Sequence, residues 1–112
     1  MPRNLSVAAT IDQVRNRQKT VTRRVGWKSL KPGQILNLVE KSMGLKPGQK
    51  VKRICQVVVT QVTQEPLSAV TDLDVEKEGF PGMSREDFIA KFQQIYKIKE
   101  DDLVTRIRYD YL

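Results

Sequence analysis

Arg15, Arg17, Lys19, Thr20, Thr22, Arg23 and Arg24 crowd one short stretch of the chain. Guanidinium groups make paired hydrogen bonds to phosphate oxygens, and a lysine adds a point charge. Thr20 and Thr22 lie two residues apart, so in an extended segment their side chains share a face. Trp27, after Gly26, and Phe80, before Pro81-Gly82, fall in loop-like sequence. An aromatic in a loop is free to stack on a base, although either ring can instead cover the core. Cations, hydroxyls and loop aromatics together suit binding of a nucleic acid or a nucleoside.

The residue types also exclude much chemistry. The chain has no His, which removes His-based triads, His general bases and ordinary His-containing zinc sites. Its one cysteine, Cys55, can form neither an intramolecular disulfide nor a Cys–His couple. No GxGxxG or P-loop sequence occurs. Asp72, Asp74, Glu76 and Glu78 alternate along an acidic stretch; such acids on a helix usually form a solvated face, so no metal site is expected, nor any cofactor. The missing His pair also leaves a ribonuclease without acid–base groups for work on the ribose.

Charge is unevenly spread. Residues 1–60 hold 13 Lys/Arg against two acids, Asp12 and Glu40, a balance of +11, whereas residues 61–112 hold 7 against 11, a balance of −4. The first half is expected to present a positive face to an anionic partner such as RNA, a single-stranded nucleic acid or a modified nucleoside. A protein-interaction module using the acidic half is the remaining alternative. No basic amphipathic helix with aromatic anchors favours a membrane surface. At 112 residues, 39% of them apolar, the chain is read as one domain spanning 1–112. No apolar run approaches the ~20 residues of a membrane helix. Met1-Pro2-Arg3-Asn4-Leu5 lacks a signal-peptide h-region, so a cytoplasmic location is expected.

The elements that must position the basic stretch follow from pattern. Thr10-Ile11-Asp12-Gln13 has the form of a capping box, which predicts a helix over Ile11–Arg17 with Ile11 and Val14 inward. Thr20-Val21-Thr22 is β-branched and starts a strand or extended segment. Leu30-Lys31-Pro32-Gly33-Gln34 and Leu45-Lys46-Pro47-Gly48-Gln49 are matching turns, with Pro-Gly suited to the centre of a type II turn. Each leads into a strand: Ile35–Glu40 after the first, Val51–Val62 after the second, the latter apolar on both faces and so central. Leu67–Lys77 holds a short helix that Gly79 can end. Ser84 caps a second helix, with Phe88, Ile89, Phe92, Ile95 and Tyr96 at helical spacing as core contacts. Residues 103–111 alternate as a strand with Arg106 and Arg108 on one face. Strands in the middle with short helices at the margins predict an α+β fold built on a small, mixed or mostly antiparallel β-barrel.

Gln18-Lys19-Thr20-Val21-Thr22-Arg23-Arg24, Leu30-Lys31-Pro32-Gly33-Gln34-Ile35-Leu36, Glu78-Gly79-Phe80 and the terminal Val104–Tyr109 segment, taken in order, resemble the ASCH domain of the PUA-like superfamily. The resemblance runs from about Leu5 to Tyr111, with Lys-Thr-x-Thr-x-Arg its most specific part. It implies a PUA-like β-barrel flanked by helices, a cleft beside the Lys-Thr segment, and binding of RNA or modified nucleobases. Some small members are amidohydrolases that deacetylate N4-acetylcytidine through a Lys, a Thr and a Glu. The matching positions here are Lys19, Thr22 and Glu78, with Glu76 a competitor for the last. On that reading Arg15, Arg17, Thr20, Arg23, Arg24, Trp27 and Phe80 supply ligand contacts, with Arg23 and Arg24 at the rim. The chain departs from the small amidohydrolases at Arg17-Gln18, where a glycine and a basic residue ordinarily stand, at the Arg23-Arg24 pair, and in Lys41–Leu45.

Overall fold

The longest β-branched run in the chain builds the centre of the sheet. The computed structural model describes residues 2–41 and 46–112. β1 (Arg3–Ser6) and β2 (Val21–Arg24) are short; β3 (Ile35–Val39), β4 (Arg53–Pro66) and β5 (Leu103–Tyr111) carry most of the pairing. β4 lies antiparallel between β3 and β5, β2 adds antiparallel to β5, and β1 adds in parallel to β3. The order is β1-β3-β4-β5-β2, a mixed five-stranded sheet. A bulge at Thr60 shifts the β4–β5 register, and such an extra residue bends and twists a strand. The sheet accordingly curls into a half-barrel whose edges, β1 and β2, do not pair with each other. The expected barrel is therefore present in its open form, within an α+β fold.

The side-chain alternation of the strands sorts the core. Leu36, Leu38, Val57, Val59, Ile107 and Tyr109 share one buried cluster, which Leu5 and Val14 extend. Val104, of opposite parity on β5, joins a second cluster with Leu67, Val75, Phe88, Ile89 and Phe92 from the helical segments. The two Pro-Gly turns match where described: Gln34 N donates to Lys31 O, and Gln49 N to Lys46 O, with Gly33 and Gly48 at φ +92° and +85°. Leu45, and Ser42–Gly44 of the stretch noted as unusual, lie outside the described residues.

The helices differ from expectation in instructive ways. α1 (Ile11–Arg15) is shorter than predicted, and Thr10 makes no side-chain capping bond. Arg17 stands at φ +59°, a left-handed conformation that ends the helix and redirects the chain toward Lys19. The acidic region divides into a 3₁₀ turn, Leu67–Ala69, and α2 (Asp72–Lys77), whose Thr71 hydroxyl accepts from Asp74 N. α3 (Arg85–Tyr96) starts on the Ser84 cap as predicted, the hydroxyl accepting from Asp87 N at 3.1 Å. Its stripe is core at Phe88, Ile89 and Phe92, but Ile95 is 63% exposed. No helix among the described residues is long and apolar enough to cross a membrane.

Candidate functional site

The site begins with the seam the sheet leaves open. Because β1 and β2 are both edges, their ends approach without forming a ladder. Arg24 spans this gap with its side chain: Nη2 donates to Ser6 O at 2.7 Å, and Nε donates to Thr22 Oγ1 at 3.1 Å. A cleft of about 240 Å³ opens here. Lys19, Thr22 and Glu78, with Arg23 and Thr10, supply its buried polar surface. Val7–Thr10 form one wall, and Phe80 with the Phe88, Phe92 and Tyr96 face of α3 forms the other. Mostly apolar walls around a few convergent polar groups are the usual make-up of a small-molecule site.

Backbone contacts fix each polar group. The Lys19 carbonyl accepts from the Tyr111 hydroxyl at 2.5 Å, and Thr20 N donates to Lys77 O at 2.9 Å, which ties the Lys19 segment to β5 and α2. Glu78 N donates to Asp74 O, closing the last turn of α2. Gly79 then adopts φ +101°, and a Cβ there would stand 3.0 Å from Thr10 Cγ2, so only glycine lets this turn pack on the Thr10 corner.

The charges form an ordered network. Lys19 Nζ donates to the Glu78 carbonyl at 2.5 Å and lies 3.7 Å from Glu78 Oε1. The Glu78 carboxylate is held more closely by Arg23, whose backbone N reaches Oε1 at 3.2 Å and whose Nη1 reaches Oε2 at 2.9 Å. Arg23 Nη2 also donates to Asp74 Oδ2 at 2.7 Å, and Asp74 in turn accepts two bonds from Arg106. Alternate acids had been expected to face solvent. Asp74 and Glu78, four apart on one helical face, instead turn inward onto these arginines, while Asp72 and Glu76 are exposed. Arg106 is thereby drawn under α2 rather than left on an open arginine-bearing face.

Burial decides the Lys19 charge. Desolvation pushes its pKa down from 10.5 to about 8; Glu78 opposes this, while Arg24 and Arg23 add to it. The burial penalty outweighs the attraction of Glu78. At pH 7 about one lysine in ten is then neutral, far more than for an ordinary lysine. Asp74 shows the reverse balance: burial pushes it up, but the hydrogen bonds from Arg106 and Arg23 outweigh that and hold it at about 2.

Of the residues singled out from sequence, the cleft collects Lys19, Thr22, Arg23, Arg24, Glu78 and Phe80. Glu78 lines it and Glu76 does not. Arg23 sits inside the fold rather than at a rim, its guanidinium engaged by Glu78, Asp74 and Glu65. Thr20 lies outside the lining, because β2 begins at Val21 and only Thr22 turns inward. Arg15 and Arg17 lie on a neighbouring concave surface with Arg53 and Tyr111; Arg15 is ion-paired to Glu40 at 2.9 Å, and Arg17 stands over the Tyr111 ring. Trp27 is away from the cleft, packed on the first core cluster with the Arg3 guanidinium 3.7 Å above its ring. Lys91, Ile95 and Tyr96 line the cleft without having been singled out as site residues. Lys91 could have been found, since it shares a helical face with Phe88 and Ile95, three before and four after it.

The fold, a five-stranded sheet curled into a half-barrel with short helices, is one that solved structures including an ASCH domain share. Among solved structures, protein EF3133 from Enterococcus faecalis V583, of the DUF984 family, is similar at TM-score 0.72 and 14% identity, over 100% of this chain and 76% of that one. An ASCH domain from Lactobacillus crispatus JV V101 is similar at TM-score 0.66 and 14% identity, over 98% and 79%. The hypothetical protein PH0355 is similar at TM-score 0.67 and 16% identity, over 99% and 97%. No family model matches the sequence, and no curated protein matches it.

Proposed function

We propose that this chain binds RNA or a modified nucleoside, seating one base in the Lys19/Thr22/Glu78 cleft. The observation that carries this is the convergence of those three side chains, from segments more than fifty residues apart, beside an aromatic wall. An ammonium, a hydroxyl and a carboxylate offer both donors and acceptors to a base edge, while Phe80 and Tyr96 offer surfaces for stacking. The ASCH-type, PUA-like fold supports the same reading. For a longer RNA, Arg15 and Arg17 on the neighbouring surface contact phosphates, while Arg23 and Arg24 build the cleft itself. Calorimetric titration with N4-acetylcytidine, cytidine and a short oligoribonucleotide tests the proposal. At least one nucleoside binds, Thr22→Val weakens it, and oligonucleotide affinity falls steeply with salt as counterions are released. Absence of binding, or a flat salt response for the oligonucleotide, sinks the corresponding part.

A second reading, amide hydrolysis on an acylated cytidine, is favoured by the lowered Lys19 pKa. A neutral Lys19 amine can accept the Thr22 proton as the hydroxyl oxygen attacks the acyl carbon. Arg24 Nε already donates to Thr22 Oγ1, so the threonine hydroxyl is free to donate elsewhere. The acyl group passes to Thr22, the leaving amine takes from Lys19 the proton that Lys19 accepted, and water then hydrolyses the Thr22 ester to release the acid. Conversion of N4-acetylcytidine to cytidine by wild type, abolished in Lys19→Ala, is the expected result. No turnover across a panel of acylated cytidines removes this reading and leaves binding.

A further inference from the structure

Four cations line the cleft: Lys19, Arg23, Arg24 and Lys91. Three are occupied within the fold. Lys19 donates to Glu78, Arg23 is held by carboxylates, and Arg24 bridges Thr22 and Ser6. Lys91 is different. Asp87 stands four residues earlier on α3, the ordinary spacing for a helical ion pair, yet Lys91 makes no ion pair among the described residues. Its ammonium lies 4.5 Å from the Phe80 ring centroid. A cation over an aromatic face is steadied in place while keeping hydrogen-bond donors for another partner. Exposed Ile95, one turn along, marks this end of the cleft as its mouth.

We propose that Lys91 selects a nucleotide over a nucleoside: with a base on the Lys19/Thr22/Glu78 floor, the Lys91 ammonium takes the phosphate group attached to that nucleoside. This rests on the base-binding reading above. The base end is met by groups that are fixed and paired, while the outer end meets a steadied cation without an ion-pair partner. A neutral ribose leaves that charge unanswered; a phosphate gives it a charge-assisted hydrogen bond. The phosphate can belong to a mononucleotide or to an RNA strand, and the same contact serves both.

The test titrates wild type, Lys91→Met and Lys91→Arg with N4-acetylcytidine, its 5′-monophosphate, its 3′-monophosphate and a trinucleotide holding N4-acetylcytidine at its centre. Methionine keeps an unbranched apolar stem and removes the ammonium with its charge and donors. Wild type should bind at least one phosphate-bearing ligand about five- to tenfold more tightly than the nucleoside, a ratio that shrinks with salt. The ratio should fall to about one in Lys91→Met and return in Lys91→Arg. Preference for a monophosphate points to a free nucleotide, and preference for the trinucleotide alone points to a strand. Equal binding of nucleoside and phosphate-bearing ligands by wild type, or a ratio unchanged in Lys91→Met, overturns the Lys91 role and leaves base binding standing. Failure of every ligand to bind wild type overturns both.

Discussion

Lys19 carries a charge that the folded protein holds at a cost, and replacing it with methionine makes that cost measurable. Its folded pKa of about 8 lies below the ordinary 10.5. Between those values the unfolded chain binds more protons than the folded one, so stability rises with pH across the window. The full gap, at 1.36 kcal/mol per pH unit, is about 3 kcal/mol, present above pH 10.5 and lost as pH falls through 8. Lys19→Met has no such dependence. It also strips the Glu78 carbonyl of its donor, a cost of about 1–3 kcal/mol that does not vary with pH in this range. The difference in unfolding free energy between variant and wild type isolates the titration, because shifts common to both, such as the raised pKa of Tyr111, cancel. Urea unfolding at pH 7, 8, 9 and 10 should show wild type gaining about 2–3 kcal/mol on the variant across the series. A pH-independent difference would falsify the claim that Lys19 is buried with its charge poorly matched. It would also remove the physical basis for a neutral Lys19 acting as a base.

Other perturbations probe the neighbours. Asp74→Asn should cost about 1–2 kcal/mol at pH 7; the carboxyl is held at about 2, below its ordinary 3.8, so its contribution is present above pH 4 and fades as pH falls toward 2. Urea titrations at pH 7 and pH 3 should show the gap to wild type narrowing in acid. Gly79→Ala should lower stability by about 1–3 kcal/mol in thermal melts, since a Cβ at φ +101° both strains the backbone and meets Thr10. Trp27→Ala should cost about 1–3 kcal/mol through lost core contact and leave the dissociation constant of any cleft ligand within twofold; a large loss of affinity would return Trp27 to the site.

The local patterns were legible wherever one element dictates its own shape. Ser84 announced the start of α3 because a cap is a contact between neighbours in sequence. The Pro-Gly turns and the β-branched runs after them read correctly as turn and strand for the same reason. β1 was missed. Four residues carry too little periodicity, and β1 is a strand because β3 offers it a parallel edge. The Thr10 capping box has the right residues, yet Thr10 makes no capping bond; buried, it packs against the Gly79 turn instead.

The basic stretch shows the same division most clearly. Sequence by itself determined that Lys19, Thr22, Arg23 and Arg24 stand together, because spacing along an extended segment is local geometry. It determined the excess of positive charge in the first half, and, through resemblance, the pairing of Lys19 and Thr22 with an acid near Glu78. Tertiary structure decided what each charge is for. Arg23 became an interior anchor because Glu78 and Asp74 arrive opposite it from α2, and paired charges can be buried where lone ones cannot. Arg24 became a strut across the open seam. Lys91, 67 positions beyond Arg24 and unmarked by any motif, came to the cleft mouth because α3 packs its aromatic face there. Electrostatic roles depend on what lies within a few ångströms, and for these residues those neighbours are dozens of positions distant in the chain.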